Sequence, residues 1–253
     1  MKTTIIIPAR YGSSRFEGKP LYKILGKEMV VRVADICAKV VGIKNLYVAT
    51  DNKRISKVVM DSGYNSIMTS SKCLTGTDRV AEAAMKIKSN IYVNVQGDEP
   101  LIPPQVIDQV AANLESHPAA GVSTLSEPIE TLEDFLNPNV VKVVGNHCNF
   151  ALLFTRAPVP WPRDDFIGVN KRFSDSSPAM RHIGLYAYRV GTLNQFVAWP
   201  RCEIECAESL EQLRFMYHGI NIHIDTASHE VPPGVDTEDD LRRLDEVLKN
   251  KHN

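Results

Sequence analysis

Short, wholly apolar runs alternate with stretches whose apolar residues recur every three to four positions, and this alternation governs the first half of the chain. Thr3–Pro8 carries Ile5, Ile6 and Ile7 in succession, the pattern of a strand buried on both faces. Met29, Val30, Val33, Ala34, Cys37, Val40 and Val41 repeat at helical spacing, and Gly42 stops that helix before a second strand at Leu46–Thr50. Helical segments near Lys53–Ser62 and Arg79–Lys88 bracket a strand-like Ser66–Thr69, and Ile91–Val95 is again a continuous buried run. Strand and helix in this alternation predict βαβ units, hence an α/β fold with a mainly parallel sheet flanked by helices.

The pattern changes in the second half. Val122–Leu125, Val140–Val144, Phe150–Thr155 and His182–Arg189 are strand-like, while the stretch from Pro158 to Pro178 is rich in Pro, Asp and Ser with little periodicity. These residues predict an antiparallel extension with a long loop. A helix at about Cys206–His218, a strand at Asn221–Thr226 and a C-terminal helix from Thr237 complete the chain. No repeat or low-complexity linker divides it, so the expectation is a single domain over 1–253, with about 140–190 as an inserted subregion.

At 253 residues, 43% hydrophobic and 23% charged, the chain has the composition of a soluble globular protein. A formal net charge of −1 argues against bulk electrostatic binding of nucleic acid, so an anion must be met by a local cluster. The apolar runs are too short for a membrane span or signal peptide, and a cytosolic location is expected. Five cysteines without a C-x-x-C pair suit reduced thiols. Cys202 and Cys206 share a helical spacing, but no further Cys or His completes a metal set.

One such cluster follows the first strand. From Pro8 to Leu21 the chain carries Arg10, Arg15 and Lys19 together with Gly12, Gly18, Ser13 and Ser14, which let the backbone approach an anion. The loop lacks both G-x-x-x-x-G-K-[ST] and G-x-G-x-x-G. A solvated basic loop is the competing reading, but ligands of open α/β sheets sit where this loop begins, beyond the carboxyl ends of strands. Asp98 emerges three residues after Ile91–Val95 and suits Mg²⁺, which takes one or two carboxylates plus substrate phosphates; a helix-capping turn is the alternative. Asp236 offers a second carboxylate or a cap for the helix behind it. Thr75-Gly76-Thr77-Asp78-Arg79 opens a helix with free N–H groups and hydroxyls. Arg156 can pair bidentately with a carboxylate. In Arg181–Tyr186, His182 and Tyr186 share a face with Gly184 between them, although a strand histidine is more often a structural partner. Glu211 and Gln212 fit either a binding face or solvated helix positions.

The run P-A-R-x-x-S-x-R-x-x-G-K-P-L resembles the signature of the acid-sugar cytidylyltransferases, specifically the 3-deoxy-manno-octulosonate (Kdo) cytidylyltransferase family. V-N-V-Q-G-D-E-P, F-L-N-P-N-V-V-K-V-V, R-H-I-G-L-Y-A-Y-R, L-E-Q-L-R and G-V-D-T-E-D-D-L match it in order, over essentially the whole chain. The resemblance implies a nucleotide-binding α/β sheet with a dimerising extension, a homodimer, and transfer of CMP from CTP to the sugar acid with loss of pyrophosphate, for lipopolysaccharide biosynthesis. It implies CTP binding by Ala9, Arg10, Ser13, Arg15, Lys19, Gly76, Arg79 and Gln96, with Arg10, Lys19 and Asp98 catalytic. It further implies Mg²⁺ on Asp98 and Asp236, and the sugar acid on Arg156, His182, Tyr186, Glu211 and Gln212. No general base is readable. The chain departs from the family at Phe16-Glu17, where Leu-Pro is usual, at Cys73-Leu74-Thr75, and in a shorter loop before Asp236; an 8-amino analogue of Kdo is therefore an alternative substrate. A sugar-nucleotide glycosyltransferase would show D-x-D after the buried strand, which is absent, and a non-catalytic sensor would not need Lys19, Asp98 and Asp236.

Overall fold

The computed structural model describes residues 2–12, 16–166, 173, 177–235, 237, 239–242 and 244. Strand β1 (Thr3–Ala9) leads into a short hairpin, β2 (Lys23–Ile24) and β3 (Lys27–Glu28), then helix α1 (Met29–Val41), β4 (Leu46–Thr50), α2 (Lys53–Asp61) and β5 (Asn65–Met68). Helix α3 (Gly76–Ala84), β6 (Ile91–Asn94), α4 (Pro104–Ser116) and β7 (Val122–Pro128) follow. Next come α5 (Leu132–Leu136), β8 (Lys142–Gly145), β9 (Ala151–Thr155) and β10 (Met180–Arg189). Helices α6 (Val190–Ala198), α7 (Glu203–Glu208) and α8 (Gln212–Tyr217) precede β11 (Ile222–Thr226).

The sheet runs β11-β7-β10-β6-β1-β4-β5. β1 lies between parallel partners, with Ile5 opposite Leu46 of β4 and Val93 of β6. All strands on this path share one direction except β10, which runs antiparallel between β6 and β7. The β8–β9 hairpin joins the start of β10, where Met180 pairs with Val143. A mainly parallel sheet with an antiparallel extension in the second half is thus what forms.

Alternation along β1 builds a core on each face. Ile5, Ile7 and Ala9 face Val30, Val33, Ala34 and Cys37 of α1 and Val106, Ile107 and Val110 of α4. Ile6 faces the other way, into a cluster holding Val80, Tyr92, Tyr188, Leu193, Phe196 and Phe215. Because both faces are covered, β1 carries an unbroken run of isoleucines after the buried Thr4.

Several elements differ from the sequence expectation. Helices α4, α5 and α6 were not foreseen; α4 opens with Pro104 at its first turn, where proline's missing N–H costs nothing, so the pair Pro103-Pro104 reads as loop but starts a helix. The expected helix at Cys206–His218 is broken at Ser209, which adopts a left-handed conformation (φ 52°) and separates α7 from α8. The helix expected from Arg79 starts at Gly76 and ends at Ala84. The C-terminal segment is helical at 239–242, and Leu241 and Leu244 pack with Ile24, Met29 and Val235, joined by Phe16 and Leu101.

Behind the second half lies a buried ion pair. Arg214 donates to Glu205 through Nη2–Oε1 at 2.5 Å and Nε–Oε2 at 2.8 Å, and its guanidinium stacks over the Phe196 ring at 4.0 Å. Burial pushes the Glu205 carboxyl up, but these hydrogen bonds and the Arg214 charge outweigh it and hold the carboxyl below its ordinary value. Arg214→Met should therefore cost about 3–5 kcal/mol in urea denaturation, because it leaves the buried carboxylate with only the longer contacts from Arg201 Nε and the Cys202 N–H, whereas replacing both partners by leucine should cost far less. Equal losses in the two variants would contradict this account.

Candidate active site

The parallel pairing of β1 with β6 brings their C-terminal ends side by side, so Pro8-Ala9-Arg10 and Gln96-Gly97-Asp98 leave the sheet at one edge. Gly97 favours this close approach, since a Cβ would lie a tight 3.0 Å from the Pro8 carbonyl oxygen. Together with Lys19, Pro20, Cys73–Gly76 and Arg79 these residues line a cleft of about 250 Å³. Lys19 Nζ reaches across it to Asp98 Oδ2 at 2.5 Å and donates to the Val235 carbonyl at 2.8 Å. Val235 N–H donates in turn to the Asp98 carbonyl oxygen at 2.8 Å. Arg10 stands exposed at the mouth.

The N-terminus of α3 forms one wall. Thr75 and Asp78 make a reciprocal capping box, Asp78 N–H to Thr75 Oγ1 at 3.1 Å and Thr75 N–H to Asp78 Oδ2 at 3.0 Å, which aims the first turn at the cleft. Arg79 is buried and spent on the protein itself: Nη2 pairs with Asp51 at 2.9 Å and Nη1 donates to Thr69 Oγ1 at 2.6 Å. It shapes the floor, and its charge is balanced by Asp51. The other cations lining the cleft are Arg10, which is exposed, and Lys19, which is paired with Asp98.

A second cavity opens on the other side of Thr75, Gly76 and Gln96, which border both. It is lined further by Gly184, Tyr186, Arg201, Glu205, Ser209, Leu210, Glu211 and Gln212. Its shape depends on a bulge in β10, where the register against β7 shifts between Ile183 and Tyr186. Buried Thr124 stitches the bulge, its Oγ1 bonding the carbonyls of Ile183 and Leu185 at 3.0 and 2.8 Å. A Cβ on Gly184 would meet open space, so this glycine adds room to the cavity. Glu211 Oε1 accepts from Thr77 Oγ1 at 2.6 Å, while its Oε2 is enclosed. Burial pushes this carboxyl up, against the hydrogen bonds from Thr75 and Thr77.

Of the sequence-predicted residues, Ala9, Arg10, Lys19, Gly76, Arg79, Gln96 and Asp98 meet in the first cleft, and Tyr186, Glu211 and Gln212 in the second. Ser13, Arg15 and Asp236 lie outside the described residues. Arg156 and His182 line neither cavity. Arg156 donates from Nε to the Glu208 carbonyl at 2.7 Å and from Nη1 to the Pro138 carbonyl at 2.8 Å. His182 lies behind Tyr186, ring centroids 5.3 Å apart, with Nε2 3.0 Å from Thr124 Oγ1, and burial pushes its imidazole down to about 3. A histidine held neutral in this way supplies no charge to a carboxylate. Arg181 is taken by Glu127 and the Val231 carbonyl. The sequence reading missed Arg201, whose isolated position in Pro200-Arg201-Cys202 carries no pattern.

As a metal site the first cleft offers one described carboxylate, Asp98, and no group of three His, Cys, Asp or Glu side chains exists among the described residues. That donor set suits a hard cation completed by substrate phosphates rather than a closed structural site. Val235 sits against both Asp98 and Lys19.

A cleft at the carboxyl edge of a mainly parallel sheet, sharing Thr75, Gly76 and Gln96 with a second cavity, lies where α/β sheets bind their ligands. Residues 4–222 match the family model described as Cytidylyltransferase, and the chain belongs to that family; it is a nucleotidyltransferase. It is 49% identical over 248 residues to a 3-deoxy-manno-octulosonate cytidylyltransferase of Hahella chejuensis, covering 97% of both chains. It is 48% identical to the protein of the same name from Cellvibrio japonicus, covering 98% of this chain and 99% of that one. The solved structure of CMP:2-keto-3-deoxy-manno-octonic acid synthetase complexed with CTP superposes with a TM-score of 0.91 at 38% identity, covering 99% of this chain and 100% of that one. A cytidylyltransferase from Leptospira borgpetersenii shares the fold at a TM-score of 0.61 and 16% identity. The relatives' names favour Kdo over its 8-amino analogue.

The buried imidazole of His182 has a stability consequence. Its folded value is depressed below the unfolded one, so its contribution is complete above about pH 6.5 and is lost as pH falls toward about 3. Wild-type unfolding free energy should decline over that window more steeply than that of His182→Gln, by up to about 1.4 kcal/mol per pH unit. Parallel curves in urea titrations at pH 7 to 5 would show that His182 is not held neutral.

Proposed function

We propose that this protein activates Kdo with CTP, giving the CMP-sugar and pyrophosphate, for lipopolysaccharide biosynthesis. The observation that carries this reading is the pair of adjoining cavities, one cationic and one polar, in a chain matched along its length by relatives named for that reaction. The anomeric hydroxyl oxygen of the sugar forms a bond to the α-phosphorus of CTP and loses its proton, while the bond from that phosphorus to the pyrophosphate oxygen breaks.

In this reading the first cleft takes CTP. Arg10 and Lys19 place positive charge against the triphosphate, the α3 N-terminus with Gly76 borders the nucleotide, and Gln96 contacts it, with Ala9 and Arg79 completing the pocket. Asp98 and Asp236 hold Mg²⁺. When bound, this ion supplies Lewis-acid stabilisation of phosphate charge. Tyr186, Glu211 and Gln212 take the sugar acid; Arg156 and His182 act from behind them, by supporting the α7–α8 junction and the Tyr186 ring. The chain's own contribution is positioning and fixed charge, the logic of phosphoryl transfer generally.

The cytoplasm is the compartment this reading requires, since CTP is made there. Residues of about 140–190 form the dimerising extension of a single domain: among the described residues β9 pairs only with β8 and leaves Leu152 exposed, and Trp161 is exposed just beyond it. Leu152→Asp should convert the dimer to monomer in light scattering.

Pyrophosphate release should require CTP, Mg²⁺ and Kdo together, with weaker turnover of 8-amino-Kdo and none of a neutral sugar. Asp98→Asn should lower kcat by about 100-fold or more while the overall fold, read by circular dichroism, is retained. Silence with every acid sugar, or near-normal turnover by Asp98→Asn, would defeat the reading.

A further inference from the structure

The second cavity holds a cation that none of the sequence blocks accounts for. The Arg201 side chain lines it and is 45% exposed. Its Nε is 3.2 Å from Glu205 Oε1, which anchors the guanidinium at the wall. That carboxylate is already bound at both oxygens by Arg214, and both of those side chains are almost fully buried, at 1% and 5% exposure. Two guanidinium groups therefore share one carboxylate, and the surplus positive charge lies with Arg201, the member in contact with the cavity. Arg201 has no other ion pair among the described residues.

The same cavity is lined by Tyr186, Glu211 and Gln212, polar side chains suited to the hydroxyls of a polyol, while Arg201 presents a planar guanidinium fork suited to a carboxylate. A carboxylated polyol matches both. A triphosphate in the first cleft does not, because Arg201 does not line that cleft.

We propose that Arg201 is a specificity-determining residue that pairs with the carboxylate of the acid sugar in the second cavity. This rests on the reading that CTP fills the first cleft and the sugar acid the second. Arg201 then discriminates acid from neutral sugars, and the Glu205–Arg214 pair, by engaging both Glu205 oxygens, keeps Glu205 from neutralising it.

Steady-state pyrophosphate release by the full chain at saturating CTP and Mg²⁺ tests this. Arg201→Gln should raise the KM for Kdo about 10- to 50-fold, the worth of one hydrogen-bonded charge contact, leaving kcat, the KM for CTP and the melting temperature unchanged. Arg201→Lys should recover part of the loss. Raising salt should increase the wild-type KM for Kdo and leave that of Arg201→Gln nearly flat, and the C1 carboxamide of Kdo should bind both proteins equally. An unchanged KM for Kdo in a stable Arg201→Gln overturns the proposal while leaving the function intact, and so does a rise in both KM values accompanied by a lower melting temperature. Silence of the wild type toward Kdo and other acid sugars removes both.

Discussion

The contact between Lys19 and Asp98 is the constraint on which the site depends. It joins three segments far apart in sequence: the loop after β1, the turn after β6, and the strap at Val235, whose carbonyl accepts from Lys19 and whose N–H binds the Asp98 carbonyl. β1 and β6 set its position because they are parallel neighbours with C-terminal ends on the same edge. An ammonium and a carboxylate at 2.5 Å hold the cleft together while leaving both charges at its surface, where phosphates and a hard cation would compete for them.

The strap explains the departure of the opening loop from its family. Phe16 packs against Tyr22, ring centroids 5.5 Å apart, and joins Ile24, Met29, Val235, Leu241 and Leu244 in a small satellite core. Its ring thus helps to seat Val235 against Lys19, whereas Glu17 is exposed. What looks in the sequence like an intrusion beside a phosphate loop is apolar support for the segment that closes it. A comparable division of labour operates in the second cavity. There Thr124 fixes the β10 bulge from below, and the Arg214–Glu205 pair fixes the α7–α8 junction from behind.

Much of this was legible because its signals are local. The unbroken apolar runs of β1 and β6 mark strands buried on both faces, and Gly76, Gln96 and Asp98 sit at fixed offsets from element ends. Helix α4 was hidden because Pro103-Pro104 reads as a break, although Pro104 occupies the one helical turn that tolerates it. Ser209 could not be foreseen as a helix break, since a serine in the left-handed region is dictated by its tertiary surroundings. His182 carried an ambiguous signal; burial against Thr124, Phe154 and Tyr186 decided it.

The sequence by itself determined the layer architecture, the cations of the loop after β1, the acid after β6 and the family, because periodicity and short ordered motifs are properties of neighbouring residues. Only the tertiary structure decided how those charges are spent. Arg79 is balanced by Asp51, Arg156 is turned onto backbone carbonyls, and Arg201, featureless in the sequence, retains its charge at a cavity wall because Arg214 already binds both oxygens of Glu205. The physical reason is that a charge acts through its partners and its burial, and both are set by residues distant in the chain.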